Sequence, residues 1–423
     1  MMSICQRPGV RAFLLFSVCA SAACAADEWP QFRGPTGQGL SDATGLPLTW
    51  SETNNIVWKT ALPGVGHSSP VVSCERIWLT ASPDKGKTRH VLCVDLKTGE
   101  VTRDIALFTY DATEPCHAMN SFATPTPVLE GGRVYVTFGN PGTACLDAET
   151  GKTLWERRDI KTRYFDVGAA SSPALCGNAL ILTCDGQPEA ERFVIALDKS
   201  TGRTLWRAER TFPGNVIPKK THSSCVPLAI DVAGRTQIIS PGGKGVRAYD
   251  LKSGEELWCA RYDGWSVVPR PVAADGLVIV CCGTIPPAVM AIRPERAAGD
   301  ITDTPAVVWK ITRNAPTMPS PLLTGSRLYT LNAATLSCLD PATGKELWSG
   351  NLPGQHLASP VAAQGRLYLF NTSGGGTVAA LGDALKILAT NRLDSGCYAS
   401  PAVVGSSLII RTTSHLYRIA ERR

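Results

Sequence analysis

The residues best suited to chemistry in this 423-residue chain are polar side chains that stand shortly before prolines. Imidazole, amide and hydroxyl groups hold small ligands through hydrogen bonds, and a neutral imidazole is also the commonest metal ligand. Four of the six histidines fall in such positions. The candidates are His67, Asn120, His222, His356 and Tyr398, with His117, Ser266 and Thr317 in comparable places. The elements that follow them decide whether they meet at one site.

Those elements begin at a proline that recurs eight times, usually after a small residue and before Val, Ala or Leu. Proline is tolerated at the first residue of a strand, because its missing N–H breaks no ladder hydrogen bond there. Each of these prolines therefore predicts the start of a strand. The eight are Pro70, Pro127, Pro173, Pro227, Pro271, Pro321, Pro360 and Pro401.

A second repeat, Asp-x-x-Thr-Gly followed by Leu-Trp, closes most of the units. Residues 146–155 and 197–206 are near-copies, and 249–258 and 339–348 follow the same pattern. Aspartate caps local N–H groups and glycine adopts a positive φ, so the motif predicts a tight turn before a strand that carries the tryptophan. Four short strands in each unit are typical of a propeller blade.

The ends of the chain complete each other. The eighth unit stops after its third strand at 415–419, whereas residues 55–62 form a tryptophan strand with no unit before it. We therefore predict an all-β, eight-bladed β-propeller of four-stranded antiparallel blades, in which the N-terminal strand completes the last blade. That closure leaves no open sheet edge. Long helices find no support in the periodicity.

The first 25 residues read as a signal peptide, with Arg7 and Arg11 before an apolar run too short to span a bilayer. Acylation of Cys24 would instead give a lipoprotein, which we consider the lesser alternative. Residues 26–54 predict an extended segment packed along the outside of the propeller, which occupies 55–423. We expect an exported monomer of the periplasm or extracellular space, with no transmembrane span.

Composition excludes some partners. Charged residues make up 18% of the chain, and the net charge of +6 includes no basic run, so nucleic-acid binding is not indicated. Three of the 15 cysteines lie in the signal segment, and the others contain no CxxC pair. Most of them are expected to be small buried hydrophobic residues.

The turn-and-tryptophan repeat resembles the pyrroloquinoline-quinone (PQQ) propeller repeat. That superfamily includes quinoprotein alcohol dehydrogenases and BamB, a non-enzymatic lipoprotein of outer-membrane protein assembly. The stretch Trp-Pro-Gln-Phe-Arg-Gly-Pro at 29–35 looks most like secreted PQQ-binding-like repeat proteins of planctomycete-type bacteria. The resemblance covers roughly residues 27–423, and it indicates the fold more strongly than the function.

The enzymes of that superfamily imply a quinone with Ca²⁺, a carboxylate base and often a disulfide between adjacent cysteines. Cys281 and Cys282 are the only matching pair, but they stand at the end of a regular apolar strand whose side chains alternate between faces. Two separate thiols are therefore favoured over a disulfide. Asp111, Glu114 and Asn120 offer oxygen ligands for calcium without a defining pattern.

Because the first strand of a propeller blade lines the central channel, the residues before the prolines are expected to ring one mouth of it. They form either a polar funnel for a small ligand, an anion or a metal, or a wet mouth that hydrogen-bonds water and loops. Pockets at such mouths are the default sites.

Three functions follow. The favoured one is an exported, non-enzymatic propeller that serves as a protein-interaction or ligand-binding platform in the cell envelope, BamB-like, with no cofactor predicted. The alternative is a PQQ-dependent oxidoreductase, with Ca²⁺, acting on an alcohol or sugar. A polymer-binding groove using Trp265 or Tyr164 is the third.

Overall fold

The structure is a computed structural model, and it describes residues 28–110, 115–162, 167–186, 192–210 and 222–422. The described chain forms eight antiparallel sheets of four main strands, and its single helical element is a 3-10 turn at Pro294–Arg296. The predicted all-β, eight-bladed propeller is confirmed. The signal peptide and Cys24 lie outside the described residues.

The strands follow one another from the channel outward in each blade. Blade 1 contains β3 (Val71–Ser73), β4 (Arg76–Ala81), β5 (Thr88–Asp95) and β6 (Val101–Thr109). Blade 2 contains β7 (Val128–Glu130), β8 (Arg133–Thr137), β9 (Thr143–Asp147) and β10 (Thr153–Arg157). Blade 3 contains β11 (Ala174–Cys176), β12 (Ala179–Cys184), β13 (Phe193–Asp198) and β14 (Thr204–Glu209). Blade 4 contains β15 (Leu228–Val232), β16 (Arg235–Gly242), β17 (Gly245–Asp250) and β18 (Glu256–Arg261), with β22 (Gly299–Asp300) added at its outer edge.

The second half of the ring repeats this order. Blade 5 contains β19 (Val272–Ala274), β20 (Leu277–Thr284), β21 (Pro287–Ile292) and β23 (Val307–Ile311). Blade 6 contains β24 (Leu322–Thr324), β25 (Arg327–Asn332), β26 (Thr335–Leu339) and β27 (Glu346–Asn351). Blade 7 contains β28 (Val361–Ala363), β29 (Arg366–Phe370), β30 (Gly375–Ala380) and β31 (Ile387–Arg392), with β1 (Leu40–Ser41) added at its inner edge. Blade 8 contains β32 (Ala402–Val404), β33 (Ser407–Arg411), β34 (His415–Ala420) and β2 (Ile56–Ala61).

Blade 8 is assembled from both ends of the chain. Strand β2 pairs antiparallel with β34, from Ile56 opposite Ile419 to Ala61 opposite His415. The outer edge of the last blade is thereby paired, and the predicted closure is confirmed. Breaking the ring requires the separation of two strands that are far apart in sequence.

The Asp-x-x-Thr-Gly turn joins neighbouring blades. In blade 3, Asp198 accepts hydrogen bonds from the N–H groups of Ser200 and Thr201, at 3.0 and 2.8 Å. The indole of Trp155, from blade 2, donates to the carbonyl of Lys199 in this turn at 3.0 Å and lies against Gly202. The same indole-to-carbonyl bond recurs in four other pairs: Trp58 to Leu96, Trp206 to Leu251, Trp309 to Pro341 and Trp348 to Gly382.

A ring of hydroxyl groups joins the blades at the inner end. In six of the eight blades, the residue before the proline donates its N–H to the hydroxyl of the equivalent residue in the next blade, as Ser320 does to Ser359 at 2.9 Å. Six hydroxyls accept such a bond, and we call them the hydroxyl arc: Ser69, Thr126, Ser172, Ser320, Ser359 and Ser400. Blades 4 and 5 interrupt the arc, because Val226 and Arg270 stand at these positions.

Residues 28–41 lie in the channel, and we call them the N-terminal plug. The sequence had instead predicted that the segment 26–54 packs along the outside of the propeller. The backbone of Trp29 pairs with Val72 of β3, and β1 pairs with β28. The N–H of Leu129, in β7, donates to the carbonyl of Pro30 at 2.8 Å. The innermost strand of each blade has one edge without a neighbouring strand, and the plug supplies hydrogen-bond partners for part of that edge. The chain then leaves the channel, and Trp50 stacks on Phe370.

In the described part of the chain, none of the helical structure has the length or the apolar character needed to cross a membrane.

Candidate ligand-binding cavity

One cavity of about 790 Å³ occupies the mouth of the channel. Its wall contains residues from the segments that precede the first strands of all eight blades, and Phe32 of the N-terminal plug also lines it. The plug hydrogen-bonds to the inner strands of several blades, so the channel is obstructed beneath the cavity. The cavity is therefore a cup with one open end rather than a through-channel.

All five predicted site residues line this cavity: His67, Asn120, His222, His356 and Tyr398. His117, Ser266 and Thr317 line it too. The expectation that the pre-proline residues share one mouth therefore agrees with their positions. Binding of a ligand by them stays a prediction. Tyr164, proposed for a polymer groove, lies outside the described residues, whereas Trp265 lines the cavity.

His67 and Tyr398 form one side of the wall. Their rings stack with centroids 4.5 Å apart and an angle of 12° between the planes. Burial, with a smaller contribution from the nearby Arg411 guanidinium, lowers the pKa of His67 to about 4. His67 is therefore neutral at neutral pH, and the pair presents a flat aromatic surface to the cavity.

His356 is held by the loop between two strands of blade 6. Its Nδ1–H donates to the carbonyl of Ala333 at 3.0 Å, which leaves Nε2 as the unprotonated nitrogen of the neutral ring. That Nε2 atom is buried and has no hydrogen-bond partner among the described residues. Burial also lowers the pKa of His356. His222 packs edge-on against Trp265, with ring centroids 5.4 Å apart.

Asn120 serves the wall rather than the cavity. Its amide Nδ2 donates to the carbonyls of Val167 and Ala169, and its Oδ1 accepts the N–H of Ser121 at 2.8 Å. The side chain thus braces the segment that leads into blade 3, and its amide hydrogen-bonding capacity is largely used there.

The hydroxyl arc forms a belt in the wall, and all six of its members line the cavity. Each hydroxyl oxygen accepts a backbone N–H from the neighbouring blade, and every member is at least nine-tenths buried. Among the described residues, each of the six hydroxyls accepts one of these bonds and donates none, so its proton is available to a ligand. The cavity wall is therefore rich in donors.

The described residues do not bring a metal-binding set together, since no group of three His, Cys, Asp or Glu side chains among them is close enough to hold an ion. His67, His222 and His356 belong to blades separated around the ring. Each imidazole faces its own neighbours instead of a shared centre.

A quinone with Ca²⁺ does not fit the described lining. No carboxylate is among the described residues that line the cavity, and Asp111 and Glu114 lie outside the described part of the chain. Cys281 and Cys282 are free buried thiols on opposite faces of β20. Cys281 packs between blades 5 and 6, and Cys282 packs between blades 4 and 5. The two thiols are separate in this structure, and no disulfide joins them.

Sequence reasoning missed two parts of the cavity wall, Phe32 and the hydroxyl arc, and it also missed the buried arginines behind that wall, Arg33, Arg270 and Arg411. The small residue before each proline was visible as a landmark, and its hydroxyl was the available signal. The aromatic residues at 29–32 gave no sign that they enter the channel, because a segment without a repeat can pack on any apolar surface.

The fold and its repeated turns define a propeller of the PQQ-like class. The family model described as outer membrane protein assembly factor BamB matches residues 42–158, 114–283 and 297–414, so the chain belongs to that family.

A curated relative, the tetrathionate hydrolase of Acidithiobacillus ferrooxidans, is 26% identical over 276 residues, which covers 59% of this chain and 51% of the relative. The chain thus matches about half of that protein's length.

Solved structures show the same fold at low identity. The europium-containing methanol dehydrogenase has a TM-score of 0.68 and 11% identity, covering 92% of this chain and 90% of the other. The quinohemoprotein alcohol dehydrogenase of Comamonas testosteroni has a TM-score of 0.66 and 12% identity, covering 95% and 82%. BamB from Moraxella catarrhalis has a TM-score of 0.59 and 13% identity, covering 86% and 99%.

Proposed function

We propose that this protein is an exported, non-enzymatic propeller of the cell envelope that binds a small ligand at the mouth of its channel. One observation carries the proposal: all eight blades and the N-terminal plug contribute to a single cavity of about 790 Å³. Concave sites of this size with a few polar groups are typical of small-molecule binding.

The lining supports binding rather than catalysis. It offers flat aromatic surfaces at Tyr398 and Trp265 and hydroxyl donors in the belt below them. A general base would need a carboxylate or a free imidazole within reach of the substrate. The described lining has no carboxylate, and burial lowers the pKa of both His67 and His356, so each of these imidazoles is a weak base.

Export and an envelope location are supported by the signal-like residues 1–25 and by membership of the BamB family. The family description names an assembly factor, so the rim of the cavity is also the natural place for a protein partner. Met119 and Ile285 are exposed large hydrophobic residues there, and such residues favour contact with a partner or an organic ligand.

The test is a binding screen on the mature chain, with and without a variant that fills the cavity. Matched pairs of charged and neutral aromatic compounds, such as phenylacetate with phenylacetamide and benzenesulfonate with benzenesulfonamide, are screened with neutral sugars by thermal shift and calorimetry. A ligand of the native state raises the unfolding temperature through mass action. Ala170→Phe places a ring in the cavity wall and should abolish the shift, whereas Ala298→Phe on the exposed outer surface should not.

If no compound binds, or if Ala170→Phe binds as well as the parent protein, the cavity is not the ligand site. Reconstitution with PQQ and Ca²⁺ decides the alternative of a quinoprotein oxidoreductase. Quinone absorbance that stays with the protein, together with dye reduction by alcohols or sugars, would replace the binding proposal with the enzymatic one.

A further inference from the structure

Three buried arginines surround the base of the cavity, and the described structure gives none of them a carboxylate partner. Arg33, in the N-terminal plug, donates to the carbonyls of Pro321 and Gln38, each at 2.7 Å. Arg270 donates to Phe32 O at 2.9 Å and to Gln31 Oε1 at 3.2 Å. All of these acceptors are neutral oxygens. The Nε atoms of both arginines are buried without a partner.

Arg411 is the third member. It is buried at the end of β33 and donates to Ser68 Oγ at 2.6 Å, Thr80 O at 2.9 Å and Ser68 O at 3.1 Å. Its charge reaches the cavity wall, because it lowers the pKa of the lining residue His67. The described ion pairs include none of the three arginines.

Another buried arginine in the same protein shows the usual solution. Arg210 is fully buried and forms an ion pair with Asp185, whose side chain is fully buried as well. Breaking up such a pair leaves an uncompensated charge, which is strongly destabilising. Among the described residues, Arg33, Arg270 and Arg411 have only dipoles as hydrogen-bond partners, so their positive charge is balanced there less completely than that of Arg210.

Burial has a visible effect on the three guanidinium groups. It lowers the pKa of Arg33 to about 9, with a further contribution from the Arg270 charge. Burial also lowers the pKa of Arg411 to about 9 and that of Arg270 to about 10. All three groups stay protonated at neutral pH, and Arg33 and Arg270 are close enough for the charge of Arg270 to act on Arg33. A region of positive potential therefore lies beneath and beside the cavity.

The wall of the cavity matches this potential. Phe32, which neighbours Arg33 in the plug, lines the cavity, and its carbonyl accepts a hydrogen bond from the guanidinium of Arg270 at 2.9 Å. The backbone N–H of Arg270 donates to the hydroxyl of Ser320, a member of the hydroxyl arc, at 3.0 Å. The hydroxyl arc offers protons to a ligand, and the described lining has no carboxylate to repel one. Above this belt, Trp265, Met318 and Leu357 provide apolar surface.

We infer that the cavity selects a small organic anion, whose charged end accepts hydrogen bonds from the hydroxyl arc in the field of Arg33, Arg270 and Arg411, and whose apolar body contacts the rim. The inference rests on the proposed function and specifies its ligand class. The hydroxyls make the direct contacts, and the arginines act through their charge. A neutral ligand of the same shape would use the apolar rim and lose the electrostatic contribution.

The test compares the two members of each matched pair on the unmodified mature chain at low ionic strength. Phenylacetate is expected to bind about ten-fold more tightly than phenylacetamide, a difference of about 1.4 kcal/mol, because hydrogen bonds to a charged group are stronger than those to a neutral one. Added salt should weaken the binding of phenylacetate and leave the binding of phenylacetamide unchanged, since salt screens charge.

Arg411→Gln should reduce the preference for phenylacetate severalfold without changing phenylacetamide binding. Arg296→Gln, which removes a positive charge from the exposed surface, is the matched control and should leave the preference intact. If Arg411→Gln does not fold, the comparison on the unmodified chain still decides the question.

Each outcome separates the inference from the proposed function. Equal binding of the charged and neutral probes, or preference for the neutral ones, overturns the anion assignment and leaves a ligand-binding cavity. Sulfate that binds as tightly as phenylacetate overturns the organic part of the assignment. Absence of binding by every probe contradicts the proposed function itself.

Discussion

Neighbouring blades are joined by different contacts at the outer rim of the propeller and at its inner mouth. At the outer rim of the propeller, which is called the rim from here on, the same contact recurs between blades. A tryptophan of one blade packs on the Asp-x-x-Thr-Gly turn of the next, as Trp155 does on the turn of Asp198. At the mouth, a small hydroxyl does the joining, and the residues around it differ from blade to blade. The comparison teaches that the copied parts hold the ring together, whereas the varied parts give the cavity its chemistry.

The mouth also departs from its own repeat at two adjacent blades. Val226 and Arg270 replace the hydroxyl residue there, and the N-terminal plug is held at Arg270. The interruption thus coincides with one attachment point of a segment that is outside the repeat. The loss of two inter-blade bonds, those that hydroxyls at 226 and 270 would accept, is accompanied by a gain of plug contacts.

The largest expected effect comes from the plug. Trp29→Ala removes a fully buried indole from the channel and should lower the free energy of unfolding by about 3–5 kcal/mol. Trp155→Ala at the rim removes a half-buried indole and should cost less. Urea unfolding of both variants measures the difference. If Trp29→Ala costs less than Trp155→Ala, the plug is not part of the cooperative core.

The rim can be broken at a glycine. Gly202 has a φ of +73°, and a Cβ there would lie 2.7 Å from the ring of Trp155. Gly202→Ala should therefore cost about 2–4 kcal/mol, from the left-handed backbone and from overpacking.

Gly132→Ala is the matched control for this substitution. Gly132 has a similar φ of +74°, but a Cβ there would meet nothing within 4 Å. The difference in unfolding free energy between the two variants isolates the contact between blades. Equal losses of unfolding free energy in the two variants would show that backbone strain alone accounts for the effect of Gly202→Ala.

The rim was predictable from the sequence, and the mouth was predictable only in part. Asp198, Gly202 and Trp206 recur at fixed spacing, so their turn chemistry and the closure of blade 8 followed from local rules. The pre-proline positions of His67 and His356 placed them at the mouth for the same reason. The plug is a single segment without a repeat, and no local rule distinguishes an inner surface from an outer one. The charges of Arg33 and Arg270 could not be recognised as buried for that reason.

The hydroxyl arc can be broken at Ser359. Ser359→Ala removes the acceptor of the Ser320 N–H, which is buried, and should lower the free energy of unfolding by about 1–2 kcal/mol. Ser326→Ala, in an exposed turn, is the control and should change little. Urea unfolding provides the measurement. A loss no larger than that of the control would mean that water replaces the hydroxyl at this position.

The arc can also be extended, and this is the smallest expected effect. Val226 occupies the position of an arc hydroxyl in blade 4, next to Ser172 of blade 3. Thr126 shows that a β-branched hydroxyl residue is accepted in the arc, since its Oγ1 receives the Ser69 N–H at 2.9 Å. Val226→Thr keeps the shape of the side chain and offers the Ser172 N–H an equivalent acceptor. We expect a gain of about 0.5–1 kcal/mol in unfolding free energy. A loss would show that the blade 4 sector is held apart from its neighbour, because burial of a hydroxyl without a partner is unfavourable. The interruption of the arc would then be a property of the backbone geometry around Arg270 and the plug, rather than of the side chain at 226.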